Sequence, residues 1–493
     1  MIRVRPQCLV LGVMLFAMIA SPAIGGDYFL TIGGGYAPSG NQASLERNVL
    51  FSQRVLEEKN IGLDVQSVYF ADGDQPRPDL QVIDRKSIPR ANQLMAEFFG
   101  SQTDLGLSYR NHRVPHVRGA TSEANLRRWF KSVGPSMESG DRLFIYVTSH
   151  GNSSNSRNQP YNTSISLWNN ERLEVAELVE LLDGLPEGVS VVAVMVQCHA
   201  GGFARFIYNE GDPEQGLSTQ ARCGFFATVH DRPAAGCTPD VDESTYVEYS
   251  TYFWEAIAGH NRLNQPVELP DYNRDGRISF DEAHAYTLLS SDTIDLPINT
   301  SSEFLGIESR FQSDQHPDLL PRDLSYGELL ELATPSDRAV LEGLSKQLDL
   351  SGQDRLAHAE RLKNDRRSQR RGRYRGRPED PASQLRRKIA GSLKSRWPEL
   401  ANLMNPVSIE LLTTRSDDFV HAVEVHPDYE RFRELADAAS TELSDREKRV
   451  KVERFILAVE NVILRENLVR LGDADTISHY QRIVEGESCS IGE

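Results

Sequence analysis

Cysteine is scarce in this sequence, five among 493 residues. Cys8 lies in the extreme N-terminal segment, which leaves Cys198, Cys223, Cys237 and Cys489. If Cys198 is kept as a free thiol, at most one disulfide can close among the other three, with Cys223 and Cys237 the nearest in sequence. Long apolar runs are also missing: after residue 20 no stretch approaches the ~18 apolar residues of a membrane span. Positive charge is in deficit, with 54 Lys and Arg against 71 Asp and Glu, a net charge of −17. Such a balance opposes a polyanion and argues against nucleic acid as a partner of the whole chain, whereas cation binding is compatible with it. A hydrophobic content of 39% is that of an ordinary soluble protein, and the length admits two or three domains.

The N-terminus carries an address. Arg3 and Arg5 precede the apolar run "CLVLGVMLFAMIA", and "SPAIGG" offers Ala23 and Gly25 as small residues before a cleavage point. This pattern predicts a secretory signal over residues 1–25; an uncleaved anchor is the alternative. Cys8 stands before the apolar run, where a lipid-anchoring cysteine would follow it. The mature chain is therefore expected to be exported, periplasmic or extracellular, with no membrane span.

From residue 27 to about 300, apolar runs alternate with helical patterns. "DYFLTIGGG", "DVQSVYFAD", "DRLFIYVTSHG", "GVSVVAVMVQC" and "CGFFATVH" read as strands. "SLERNVLFSQRVLEEKN", "ANLRRWFKSV", "LEVAELVELLDGL" and "STYFWEAIAGH" read as helices. This alternation predicts an α/β fold with a mostly parallel sheet flanked by helices. Past residue 320 the patterns are helical only. Thr334 and Pro335 open one helix, and the pair Ser444 and Glu447 forms a capping box before a long apolar face. The sequence thus divides into an α/β domain over 26–320, a helical segment over 321–360, a basic linker over 361–396 and a helical C-terminal region over 397–493. The basic tract holds 14 Lys or Arg and 3 Asp or Glu, a net +11 against −28 elsewhere. A solvated tract fits that composition; a docking patch for an acidic surface is the other reading, and an exposed tract of this kind is also a candidate cut site.

Two strand ends carry reactive side chains. "LFIYVTSHG" ends in His150 and Gly151, and "VVAVMVQC" ends in Cys198. In parallel α/β sheets functional groups collect at the carboxyl ends of the strands, so neighbouring strands would present imidazole and thiol to one crevice. A thiol nucleophile needs such a base, because the thiolate is the attacking species. The backbone N–H groups of Gly151 and Cys198 are candidates for an oxyanion hole. Gly201 and Gly202 are expected to let the backbone approach a substrate, and a helical segment after Cys198 to offer free N–H groups to the thiolate. His199 is expected to point away from the crevice.

These two blocks, His-Gly and then "QCHAGG" 48 positions later, resemble the caspase, metacaspase and legumain group of cysteine peptidases. In caspases the histidine lies about 50 residues upstream of the cysteine. The resemblance covers roughly residues 27 to 290. It implies a caspase-like sheet, a His150/Cys198 dyad, cysteine-type endopeptidase activity and a protein or peptide substrate. It also places "TIGGGYAPSGNQ" and "FFATVHDRPAAG" where legumain-like enzymes put substrate-pocket loops. Relatives carry Gln, Asp or Glu two residues before the nucleophile; here Val196 stands there. Arg47 is the nearest arginine to the first loop, so the resemblance assigns no preferred cleavage residue.

"DYNRDGRISFDE" matches the 12-residue calcium loop. Asp271, Asn273 and Asp275 supply oxygens, Gly276 makes the turn, Arg277 offers its carbonyl, Ser279 stands at the ninth place and Glu282 closes the loop. "NQPVELP" before it is not helical, so a structural Ca²⁺ site is expected rather than a paired sensor. Two other classes share these features: a catalytically silent binding protein of the same fold, and a cysteine transpeptidase using the same dyad.

Overall fold

A computed structural model describes residues 25–312, 316–372, 380–441 and 444–492. The secretory signal falls almost wholly on residues 1–24, outside the described residues. Among the described residues no helix is long and apolar enough to cross a membrane.

The chain is α/β, built on a seven-stranded sheet. In chain order its strands are β1 (Asp27–Gly33), β2 (Gln66–Phe70), β3 (Val117–Gly119), β4 (Arg142–Thr148), β5 (Ser190–Met195), β6 (Arg222–Phe226) and β7 (Ile298–Asn299). Across the sheet the order is β7-β6-β5-β4-β1-β2-β3. Neighbours are parallel except β6 and β7, and the β2–β3 register shifts at Val68 and Tyr69. The central strands read as continuous apolar runs because both faces are covered. On one face Phe144 and Tyr146 meet Trp254 of helix Tyr249–Ala258, with ring centroids 6.0 and 5.3 Å apart. At the amino ends Arg142 grips the Asp27 carboxylate with two bonds, 2.9 and 2.8 Å, tying β1 to β4. Paired and fork-shaped, that half-buried charge retains its hydrogen bonds.

The C-terminal helices divide between two places. The long helix Asp445–Leu471 opens with the Ser444/Glu447 capping box and lays Val452, Phe455, Ile456, Val459 and Ile463 against Ala285, Leu341 and Leu344. Further along, Leu468, Tyr480 and Ile483 join the core of the sheet itself. Helices Pro381–Arg396, Ser416–Glu424 and Tyr429–Thr441 instead pack on helix Arg90–Phe99, burying Leu94, Phe98, Ile389, Leu393, Phe419 and Phe432. The basic tract is thus not a uniform linker. Residues 361–372 continue helix Arg355–Gly372, and the tract's second part is a helix whose Leu385, Ile389 and Leu393, four residues apart, form an apolar stripe beneath the charge. Residues 373–379 lie outside the described residues.

No disulfide joins any two of the four described cysteines. Cys223 is buried in β6 beside Gly486, whereas Cys237 packs with a cluster that includes Leu45 and Val49. The expected neighbours in sequence therefore do not pair, because the chain carries them to different cores.

Leu468 is fully buried in the sheet core although it lies in the C-terminal helix. Leu468→Ala should cost ~2–5 kcal/mol, the transfer and cavity cost of a buried leucine. Urea unfolding would show it as a lowered midpoint at unchanged slope; a loss below ~1 kcal/mol would mean that the helix is peripheral to the fold.

Candidate active site

The paired strands β4 and β5 set the site. Met195 lies opposite Val147, and the Val196 N–H donates to the Val147 carbonyl at 3.0 Å, so pairing runs one residue past the strand. Counted in register, Cys198 comes opposite His150. The two turns touch through their backbones: a Cβ on Gly151 would lie 2.0 Å from the Cys198 carbonyl oxygen. Only glycine fits there.

His150 is held by the loop after β1. Its Nε2 lies 2.8 Å from the Gly40 carbonyl and 3.0 Å from Gln42 Oε1, and the Tyr36 ring meets the imidazole edge-on at 5.3 Å. A carbonyl oxygen can only accept, so Nε2 carries the proton and Nδ1 is left as the ring's acceptor. Burial lowers the imidazole pKa, and the Gly40 bond opposes that in part. The ring is therefore neutral at pH 7, which a general base requires. By resemblance this loop is a substrate-pocket segment; in the structure its Gly40 and Gln42 hold His150.

Cys198 is partly buried, and its thiol meets the "FFATVHDRPAAG" loop. The Ala234 N–H donates to Sγ at 3.3 Å, with the Ala234 carbonyl 3.8 Å away. Burial raises the thiol pKa; the Ala234 bond lowers it and the nearby Asp295 carboxylate raises it. Thiol and imidazole thus rest as neutral groups rather than as an ion pair.

The residues after Cys198 correct two expectations. A 3₁₀ helix, Ala200–Ile207, does follow, but the Gly201 N–H donates to the Thr228 carbonyl at 2.8 Å and is not free for the thiolate. Gly201 and Gly202 serve packing: a Cβ on Gly201 would strike Thr228 O at 2.7 Å, and one on Gly202 would strike Tyr161 O at 2.4 Å. Small residues are needed there to seat the protein's own loops. His199 adopts a left-handed φ of 61° and turns its Nδ1 to the His230 carbonyl at 2.8 Å. Val196 is buried, and Arg47 pairs with Glu243 at 3.4 Å.

Sequence reasoning missed Ala234 and Asp295. Ala234 acts through its backbone, which leaves no residue signature. Asp295 is an isolated acid in a loop, yet it is buried, accepts the Ala235 N–H at 2.6 Å and has its other oxygen unpartnered. Burial raises its pKa to about 6.

The acidic loop is folded on itself. Asp271 accepts the N–H groups of Asp275 and Gly276, both at 3.0 Å, and Asp275 accepts that of Arg277 at 2.8 Å. Gly276 has a φ of +84°, which its place in the loop demands. Glu282 caps helix Phe280–Ser290 through Ser279 and reaches back to the N–H groups of Tyr272 (2.8 Å) and Asn273 (3.1 Å), bringing the loop's ends together. The donor set is hard oxygen, which suits calcium. Among the described residues, no three His, Cys, Asp or Glu side chains are drawn into a metal cage.

Because burial raises the Cys198 pKa, its alkylation by iodoacetamide should titrate with a midpoint above the ordinary thiol value of about 8.5. Following the Cys198 peptide by mass spectrometry across pH checks this; a midpoint below pH 7 would show a preformed thiolate instead.

No family model matches the sequence, and no curated protein matches it. A crystal structure of a Geobacter sulfurreducens protein, from structural genomics, aligns with 53% of this chain and 88% of its own at 11% identity and a TM-score of 0.27, a likeness that carries no argument about function.

Proposed function

We propose that this protein is an exported cysteine endopeptidase of the caspase, metacaspase and legumain kind, with His150 and Cys198 as its dyad and Ca²⁺ in the 271–282 loop. One observation carries the reading: paired strands end together in a neutral imidazole, held through Nε2 with Nδ1 left to accept, and a thiol. In the reaction Nδ1 takes the thiol proton as sulfur attacks the peptide carbonyl. The N–H groups of Gly151 and Cys198 are the donors assigned to the resulting oxyanion. The imidazolium then protonates the departing amine, leaving a thioester that water, activated by the same ring, hydrolyses. Calcium, once bound, would supply charge that fixes the loop before helix Phe280–Ser290. The burial and raised pKa of the thiol favour a second reading, a binding protein of the same fold without turnover.

Cys198→Ala should abolish both peptide hydrolysis and labelling by a thiol-directed probe. His150→Ala should lower kcat/KM by ~10²–10⁴, the usual worth of a general base, and His199→Ala by less than ~10-fold. No labelling of the folded parent would favour the silent protein, and equal losses at His150 and His199 would overturn the dyad.

Calcium should stabilise the folded chain by ~2.7 kcal/mol at a free concentration ~100 times its dissociation constant. Glu282→Gln should remove most of that increment. Melting with calcium and with chelator reads it directly, and an unchanged Tm in the parent would count against the site.

A further inference from the structure

The loop that touches the thiol is held from behind by the C-terminal helix. Arg454, almost wholly buried, donates to the carbonyls of Ser291 (2.7 Å), Asp295 (2.9 Å) and Leu288 (3.0 Å) and to Thr293 Oγ1 (3.2 Å). One guanidinium thus shapes the whole 288–295 turn. That turn carries Asp295, whose carboxylate accepts the Ala235 N–H, next to the Ala234 N–H that donates to Cys198 Sγ. The neighbouring Glu453 takes hold of the same loop directly, pairing with Arg232 at 2.5 Å. The loop's near end is fixed independently, since the His199 N–H donates to the Arg232 carbonyl at 2.9 Å. A single turn of a helix more than 200 positions further along the chain therefore grips both sides of one short segment.

We infer that Glu453 and Arg454 are positioning residues for the thiol: through Arg232 and Asp295 they hold the Ala234 N–H on Cys198 Sγ, where it favours the thiolate. This rests on Cys198 being the nucleophile proposed above. An N–H aimed at sulfur stabilises the charged form only while its orientation is kept. The other titratable groups about the thiol are Asp295, Cys237 and, opposite in register, His150. Asp295 acts on it in two opposed ways. Its charge disfavours the thiolate, while its bond to Ala235 keeps the favourable donor in place.

The test is the pH profile of Cys198 alkylation in the full-length protein, read at the Cys198 peptide, in variants whose fold is checked by circular dichroism. Glu453→Ala breaks the partly exposed ion pair, and Arg454→Lys retains the charge but loses the fork. Both should raise the midpoint by about half a pH unit, which is roughly 3-fold slower alkylation at pH 7. Amide exchange over residues 232–237 should quicken in both. Asp295→Asn keeps an acceptor for Ala235 while deleting the charge, so its midpoint should fall. Midpoints that do not rise in the first two variants overturn the inference, including the case of faster alkylation at an unchanged midpoint, which would make the loop only a shield. Peptide hydrolysis by the parent is measured separately. If it is absent while the midpoints move as expected, the peptidase reading fails and the positioning stands.

Discussion

Everything at the candidate site depends on the register between β4 and β5. Parallel pairing allows no turn between the strands, so their carboxyl ends open on the same side of the sheet. The Val196 N–H bond to Val147 carries the pairing past the last formal strand residue and lets both chains leave in step. A slip of one residue would send His150 and Cys198 to opposite faces of the sheet. The contact of Gly151 with the Cys198 carbonyl then leaves no room for a side chain between the turns. Backbone pairing sets the two residues opposite one another in register and brings their turns into contact.

How much of this was legible follows from what each element depends on. The central strands β4 and β5 were legible because burial on both faces makes them nearly unbroken apolar runs, and β1, β2 and β6 through shorter runs that polar residues interrupt. β3 and β7, three and two residues long, are too short to display any period. The helix over Pro381–Arg396 was obscured because its charge dominates the composition while its apolar stripe recurs only every fourth residue. His150 and Cys198 stood out as reactive side chains at strand ends. Their immediate partners did not, because Gly40 and Ala234 act through a carbonyl and an N–H that every residue possesses. Gly201 and Gly202 were legible as close-approach positions, but the partner was the protein's own backbone.

The α/β part and the helical part are mechanically one body around the thiol. Helix Phe280–Ser290 begins at the capping box of Glu282, the residue that closes the acidic loop, and ends at the turn that Arg454 holds. That helix therefore runs from the acidic loop to the segment bearing Asp295. Arg454 would be costly to bury alone, and its four acceptors are what make it tolerable. The thiol's environment is in this sense assembled from five distant stretches of sequence: residues near 40, 150, 234, 295 and 454.

The two ends of the sheet have a consequence for how copies of this chain treat one another. An open sheet exposes unpaired N–H and C=O groups along its outer strands, and long flat edges recruit strands from other molecules. Here one margin is a two-residue antiparallel stub and the other a three-residue strand with a register break. Neither offers enough consecutive groups to template a foreign strand. A sheet whose interior is as apolar as "FIYV" and "VVAVMV" is thereby kept from growing sideways into aggregates.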